Sequence, residues 1–204
     1  MAGASDKAQY HLERFVPGLR EFERKGIFTP DEIRAIVKKR SDFEHTLNGR
    51  GSKPEDYARY ATYEINLDAL RRKRCARLGV KMDPSTAHKG QRTVFFILDR
   101  GTKKFPGDMS LWMQYIDFCK GEGAHKKLSK VFTRLLRLKP TSWGTWVLAA
   151  KYYAETQGDM HTARSYLQRG LRFCPREGNL WKEYARFETL YLAKLAARKK
   201  LAGS

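Results

Sequence analysis

Three tryptophans, Trp112, Trp146 and Trp181, each follow a proline by six residues: Pro106, Pro140 and Pro175. The copies stand 34 and 35 residues apart. A fixed period of that length constrains the chain to stacked helix-turn-helix units. Two short helices cannot bury their own apolar face, so each unit gains a core only from its neighbours.

Other positions recur in the same register. Six residues before each proline stand Arg100, Arg134 and Arg169, and three before stand Lys103, Arg137 and Arg172. Apolar pairs recur at Ile97 and Leu98, Val131 and Phe132, and Tyr166 and Leu167. Each segment before a proline therefore reads as the second helix of a unit (helix B), stopped because a residue preceding proline is pushed out of helical dihedrals. Each segment after a proline reads as the first helix of the next unit (helix A), with Trp112, Tyr115 and Phe118, then Trp146, Ala149 and Tyr152, then Trp181, Tyr184 and Phe187 on one face. Tyr57, Tyr60, Ala61, Tyr63 and Glu64 match Trp181, Tyr184, Ala185, Phe187 and Glu188, which makes a fourth helix A; its helix B spans roughly 86–105, with extra residues around Gly79 to Pro84. These stripes are repeat core, and Trp181 is expected to be buried like the others. The last helix A, from about Gly178, carries Leu180, Tyr184, Phe187, Tyr191 and Leu195 on one face with no second helix before Ser204. That face is expected to stay open within a single chain.

The expected fold is all-α: an α-α superhelix, residues 54–204, of three full repeats plus one further A helix, preceded by a helical region at 1–53 that caps its open end. In that region His11 to Arg24 reads as one amphipathic stretch despite Pro17, Thr29 to Glu32 as a capping box with Pro30 at the first helical position, and Ser52 as the cap of the next helix. The apolar runs are far too short to span a bilayer, and the three cysteines, Cys75, Cys119 and Cys174, form no metal pattern and suit a reducing compartment.

Charge is the second constraint. Forty-one basic residues against 22 acidic ones leave a net charge of +19. Such an excess repels itself unless it serves solubility or an acidic partner. Lys126, Lys130, Arg134 and Arg137 follow helical spacing and share a face, in a stretch from Ala124 to Ala154 that contains no acid. Arg71, Arg72, Lys73 and Arg74 form a second cluster, which also reads as a nuclear import signal. Both clusters are candidate contacts for RNA or an acidic partner. The recurrent residues Arg100, Lys103, Arg134, Arg137, Arg169 and Arg172 form a candidate partner-binding ladder if they face solvent; the alternative is that they bridge neighbouring repeats internally.

Catalytic patterns are missing from the sequence. Gly121 and Gly123 lack the lysine-serine ending of a phosphate loop and read as a turn, no H-E-x-x-H or nucleophile elbow occurs, and the five histidines are scattered. The expectation is a non-enzymatic protein with no cofactor, no metal and no small-molecule substrate.

The Trp-x2-Tyr-x2-Phe helix and the proline after helix B resemble half-a-TPR (HAT) repeats. Ordinary tetratricopeptide repeats want a small residue, usually glycine, four after the tryptophan, where this chain has Ile116, Ala150 and Ala185. The resemblance narrows with Gly26-Ile-Phe28-Thr, Glu32-Ile-x2-Ile36-Val-Lys-Lys-Arg40, Tyr63-Glu-Ile-Asn-Leu67, Leu128-Ser-Lys-Val-Phe132 and Leu171-Arg-Phe173-x-Pro175. Together these are similar to the sixth family of U-three small-nucleolar-RNA-associated proteins. That resemblance implies a nucleolar scaffold in the UTP-B subcomplex of the small-subunit processome, acting in 18S ribosomal RNA maturation beside WD-repeat β-propeller subunits, with a flexible acidic segment as the natural ligand and pre-rRNA or snoRNA within reach. It also implies a longer protein than this chain. The alternatives are a HAT scaffold in splicing or messenger-RNA 3′-end processing, and a peptide-binding tetratricopeptide cochaperone.

Overall fold

The structure, a computed structural model, describes residues 4–202, and every regular element there is helical. The chain divides into two compact units, Met1–Phe118 and Cys119–Ser204. The first holds α1 (Ala4–Glu13), α2 (Val16–Arg24), α3 (Pro30–Asn48), α4 (Pro54–Leu78), α5 (Pro84–Ala87), α6 (Lys89–Lys104) and most of α7 (Met109–Gly121). The second holds the end of α7, α8 (His125–Leu138), α9 (Trp143–Lys151), a π-turn at Tyr152–Thr156, α10 (Met160–Phe173) and α11 (Gly178–Ala202). The all-α expectation holds, and the helix boundaries follow the prolines.

Three proline junctions are built alike. Helices α6, α8 and α10 stop before a pre-proline residue whose backbone has left the helical region: φ/ψ of −122°/67° at Phe105, −129°/64° at Lys139 and −125°/58° at Cys174. The proline ring forbids helical dihedrals there. The carbonyl of each then accepts the N–H three residues on, at Asp108, Ser142 and Glu177, at 3.2 Å in every copy. The next helix starts after this turn. Its tryptophan donates the indole N–H back to the proline carbonyl: 3.0 Å from Trp112 to Pro106, 2.8 Å from Trp146 to Pro140, 2.9 Å from Trp181 to Pro175. The six-residue spacing is thus the length of a turn plus the first turn of helix that lets the ring fold back on its own proline.

In two of the repeats helix B packs on helix A through a glycine. A Cβ at Gly101 of α6 would lie 3.1 Å from the ring of Tyr57, and one at Gly170 of α10 would lie 2.9 Å from Cβ and Cγ of Trp146. Gly170 and the ring of Phe173, stacked at 5.6 Å, close over Trp146, which is buried. The core of the second unit continues through Met160, Ala163, Leu167, Leu171, Leu180 and Phe187. Trp181 departs from expectation. It keeps its proline bond but is 50% exposed, because among the described residues no helix follows α11 to cover it. Tyr191 and Leu195, further along the same helix, are only partly buried.

The N-terminal region differs in two places from its sequence reading. His11 to Arg24 is two helices rather than one. Proline lacks the N–H and clashes with the preceding turn, so Pro17 opens α2 and the chain breaks after Glu13. At α4 the cap moves from Ser52 to Lys53, whose backbone N–H donates to Asp56 at 2.8 Å. The capping box at Thr29 is present, with both Thr29 and Glu32 accepting the other's backbone N–H. Helix α3 packs on α1 and on α4. Arg40 of α3 pairs with Glu64 of α4 across 24 residues, and Arg164 of α10 pairs with Glu188 of α11 across the same 24. Helix α3 therefore stands to α4 as a helix B stands to the next helix A, so the repeat grammar begins before Tyr57.

Trp146→Ala is expected to cost about 3–5 kcal/mol, as a large buried ring lost from a packed core. Trp181→Ala should cost only about 1–2 kcal/mol, since half its surface is already in water. Gly170→Ala should cost about 1–3 kcal/mol by pressing a methyl group on Trp146. Urea unfolding of the three variants checks that order.

Candidate functional site

The basic residues divide into an inner set and an outer set. On α8, Leu128, Val131, Phe132, Leu135 and Leu136 form the buried stripe. Lys126, Lys130 and Arg137 fall outside it and are exposed, while Arg134 is partly buried and already engaged. On α10, Arg169 and Arg172 are exposed, and the Arg169 guanidinium lies 5.8 Å from the ring centre of Trp146. Lys103 of α6 is exposed and pairs with Asp99 at 2.7 Å. Of the candidate residues, those exposed on the second unit are therefore Lys126, Lys130, Arg137, Arg169 and Arg172.

Arg100 does not belong to that surface. Its guanidinium donates to both carboxylate oxygens of Glu44, at 3.0 and 2.9 Å, and Glu44 is 1% exposed. Half of the cluster at 71–74 turns inward, Arg71 and Arg74, while Arg72 and Lys73 are exposed. Arg71 is buried, pairs with Asp68 and donates to the Ala87 carbonyl at 3.1 Å. Arg72 shares Asp68. Arg74 binds both oxygens of Glu32 at 2.8 and 2.7 Å, donates to the Ile27 carbonyl, and covers the Phe28 ring. Lys73 alone of the four is exposed without a recorded partner among the described residues. The reason is geometric: α4 is 25 residues long and its C-terminal turns lie under α3, α5 and the loop before α3, so arginines there meet carboxylates instead of solvent.

The sequence reading missed these carboxylates. Arg40 and Glu64 form a buried two-point pair at 2.7 and 2.8 Å. Burial opposes the Arg40 charge, Glu64 outweighs it, and the guanidinium is held above its ordinary pKa. Tyr60 sits among Glu64, Glu44 and Arg40, and burial first, then the two carboxylates, pushes its hydroxyl up. Glu32 is held at about 2 by its hydrogen bonds to Arg74 and to the Thr29 backbone. The one legible signal was the scarcity of acids in so basic a chain: several of the few present are spent inside.

No group of three or more His, Cys, Asp or Glu side chains able to hold a metal occurs among the described residues. No helix there is long and apolar enough to cross a membrane. Cys75, Cys119 and Cys174 are free thiols, and burial pushes that of Cys119 up to about 12.

The sequence profile of the U3 small nucleolar RNA-associated protein 6 family matches residues 12–96. The chain is 35% identical over 198 residues to the U3 small nucleolar RNA-associated protein 6 of Schizosaccharomyces pombe, covering 97% of this chain and 41% of that protein. It is also 35% identical to the human homolog, over 94% of this chain and 32% of the relative, and 26% identical to that of Dictyostelium discoideum, over 93% and 31%. The chain thus spans about two fifths of the length of its fission yeast relative and about a third of the others. The profile covers the unit in which the inner ion pairs lie, from Glu32 and Arg40 to Asp68 and Arg74.

Two measurements separate inner from outer charges. Arg100→Gln should destabilise by about 3–5 kcal/mol, because it strands the buried Glu44, whereas Arg137→Gln should stay within about 0.5 kcal/mol; chemical denaturation reads both. Glu32 titrates below the ordinary value of 4.5, at about 2. Its contribution is therefore in place above about pH 4.5 and is lost as the pH falls toward 2. Between about pH 5 and pH 2 the melting temperature of Glu32→Gln should fall less than that of the parent, which has this contact to lose.

Proposed function

We propose that this chain is part of a non-enzymatic helical-repeat scaffold that works with the U3 small nucleolar RNA in the nucleolus, within the small-subunit processome that matures 18S ribosomal RNA. The observation that carries the reading is the identity of 35% to U3 small nucleolar RNA-associated protein 6 relatives over nearly the whole chain. The proline-tryptophan repeats favour a HAT scaffold, and the net charge of +19 favours acidic partners. Within such a complex, of the UTP-B kind, the partners are WD-repeat β-propeller subunits. The captured element is a flexible acidic segment lying along the outer basic residues.

Arg100 drops out of that ladder because Glu44 holds it. Arg137 and Arg172, at equivalent places of successive B helices and both exposed, carry most of it. Lys126 and Lys130 extend the positive surface toward RNA phosphates. Such contact is electrostatic, indifferent to sequence and steeply salt-dependent.

The test is capture of UTP-B propeller subunits from nuclear extract by the tagged chain, with and without Arg137→Glu plus Arg172→Glu. The double variant should fold and melt like the parent yet lose capture at least about tenfold, since reversed rim charges repel an acidic segment. Equal capture by a folded double variant removes these arginines from the site. Failure of the parent chain to retain any UTP-B subunit defeats the scaffold reading.

A further inference from the structure

In the first unit, α1, α2, α5 and α6 line a half-open cavity of about 360 Å³. Arg14, Lys89 and Arg92 line it with His11, and no carboxylate does. Lys89 also borders a second pocket, lined by Glu64 and Asp68, on its other side. Lys25, Arg40, Arg71, Arg74 and Arg100 of the same unit each have a carboxylate within ion-pair distance. Arg14, Lys89 and Arg92 have none among the described residues; the one contact Arg14 makes is with the Phe96 ring, at 5.5 Å. Glu21, the carboxylate that acts on Lys89 from α2, is already held by Lys25 and the Asp83 backbone N–H. Arg14 and Arg92 are exposed at the rim and Lys89 is half-buried, so three like charges face one concave wall that an anion would neutralise.

Lys89 and His11 are placed, not loose. The stem of Lys89 lies over Gly18 of α2, where a Cβ would stand 3.2 Å from its Cδ. Burial, then Arg40, Arg14 and Arg92, lowers the Lys89 pKa. The His11 Nδ1 is buried without a hydrogen-bond partner, its ring 5.2 Å from that of Phe96. The first turn of α6, which carries Lys89 and Arg92, has neither an acidic residue nor a side-chain cap.

We propose that this cavity binds a phosphoserine or phosphothreonine side chain of a partner polypeptide. The chemistry selects that class. A carboxylate brings one negative charge against three cations, whereas a phosphomonoester brings about −1.5 to −2 and three terminal oxygens. A nucleotide needs a free aromatic face for its base, but Phe96 is packed by Arg14, Arg100 and His11, and Phe15 by Arg40 at 4.2 Å. A phosphodiester must enter and leave along a strand, while a phosphorylated side chain inserts on a single stalk. The inference goes beyond the scaffold reading and stands whether or not the UTP-B partners are right.

The experiment titrates the chain with inorganic phosphate, with N-acetyl-phosphoserine amide, with its unphosphorylated and glutamate counterparts, and with oligouridylate, reading thermal shift and phosphorus-31 line broadening. The phosphorylated probes should bind and raise the melting temperature. Lys89→Gln with Arg92→Gln should weaken them at least about tenfold, one lost charge-assisted contact being enough for that. That variant should melt no lower than the parent without phosphate, since it relieves repulsion. Arg20→Gln with Arg198→Gln removes the same number of charges from exposed sites and should leave binding unchanged. The proposal is overturned if the cavity variant binds phosphoserine like the parent, if both variants lose it equally, if the glutamate probe binds as well, or if oligouridylate alone shows the cavity-dependent loss.

Discussion

The hydrogen bond from an indole N–H to the carbonyl of a proline six residues earlier is the constraint on which the repeats depend. Proline stops helix B, the pre-proline carbonyl closes a four-residue turn, and the next helix begins with its ring folded back on the stop that preceded it. The bond satisfies a proline carbonyl and an indole donor that would otherwise be buried without partners in the first two copies. It also fixes the angle at which helix A leaves helix B, because both its ends lie within one short segment. Three copies with distances within 0.2 Å of one another build the same junction whether the ring ends buried, as at Trp146, or half in water, as at Trp181. The junction is local; burial is decided by whether another helix arrives to cover the ring.

A second device ties helices together from across the sequence. Arg40 with Glu64, and Arg164 with Glu188, join helix B to the next helix A at one fixed spacing. The first pair is buried and the second partly exposed. The geometry is shared while the energetics differ. Breaking the buried pair strands a charge, whereas the exposed one is screened by water and contributes little. Around the buried pair, Glu44 with Arg100 and Asp68 with Arg71 make the first unit a framework of internal ion pairs. The second unit instead relies on an apolar stripe and keeps its cations outside. A basic protein of this kind uses its scarce acids twice: to fix one unit, and, by being fewer in the other, to leave that unit more positive.

That division bears on recognition. Exposed cations on α8 and α10 suit a long, weakly specific acidic ligand, because each contributes through charge and none through a closed pocket. The three cations around the cavity of the first unit suit the opposite, a single compact dianion. The two surfaces would differ in salt dependence and in the class of ligand they select.

The sequence by itself determined the all-α class, the repeat boundaries and the faces of the helices. These follow from proline stops, from side-chain periodicity and from caps such as Thr29 with Glu32, all of which act within a few residues. Only the tertiary structure decided which charges are available. Arg100 and Arg137 hold comparable places beside their prolines, yet Glu44, 56 residues away, takes the first and nothing recorded takes the second. Trp146 and Trp181 share a motif, yet Gly170 and Phe173 cover only the former. The cavity at Lys89 is completed by His11 and Arg14, more than 70 residues earlier. Local rules set the backbone because their causes lie within one turn of helix. Burial and pairing depend on which helix arrives from far along the chain, and no short window of sequence contains that.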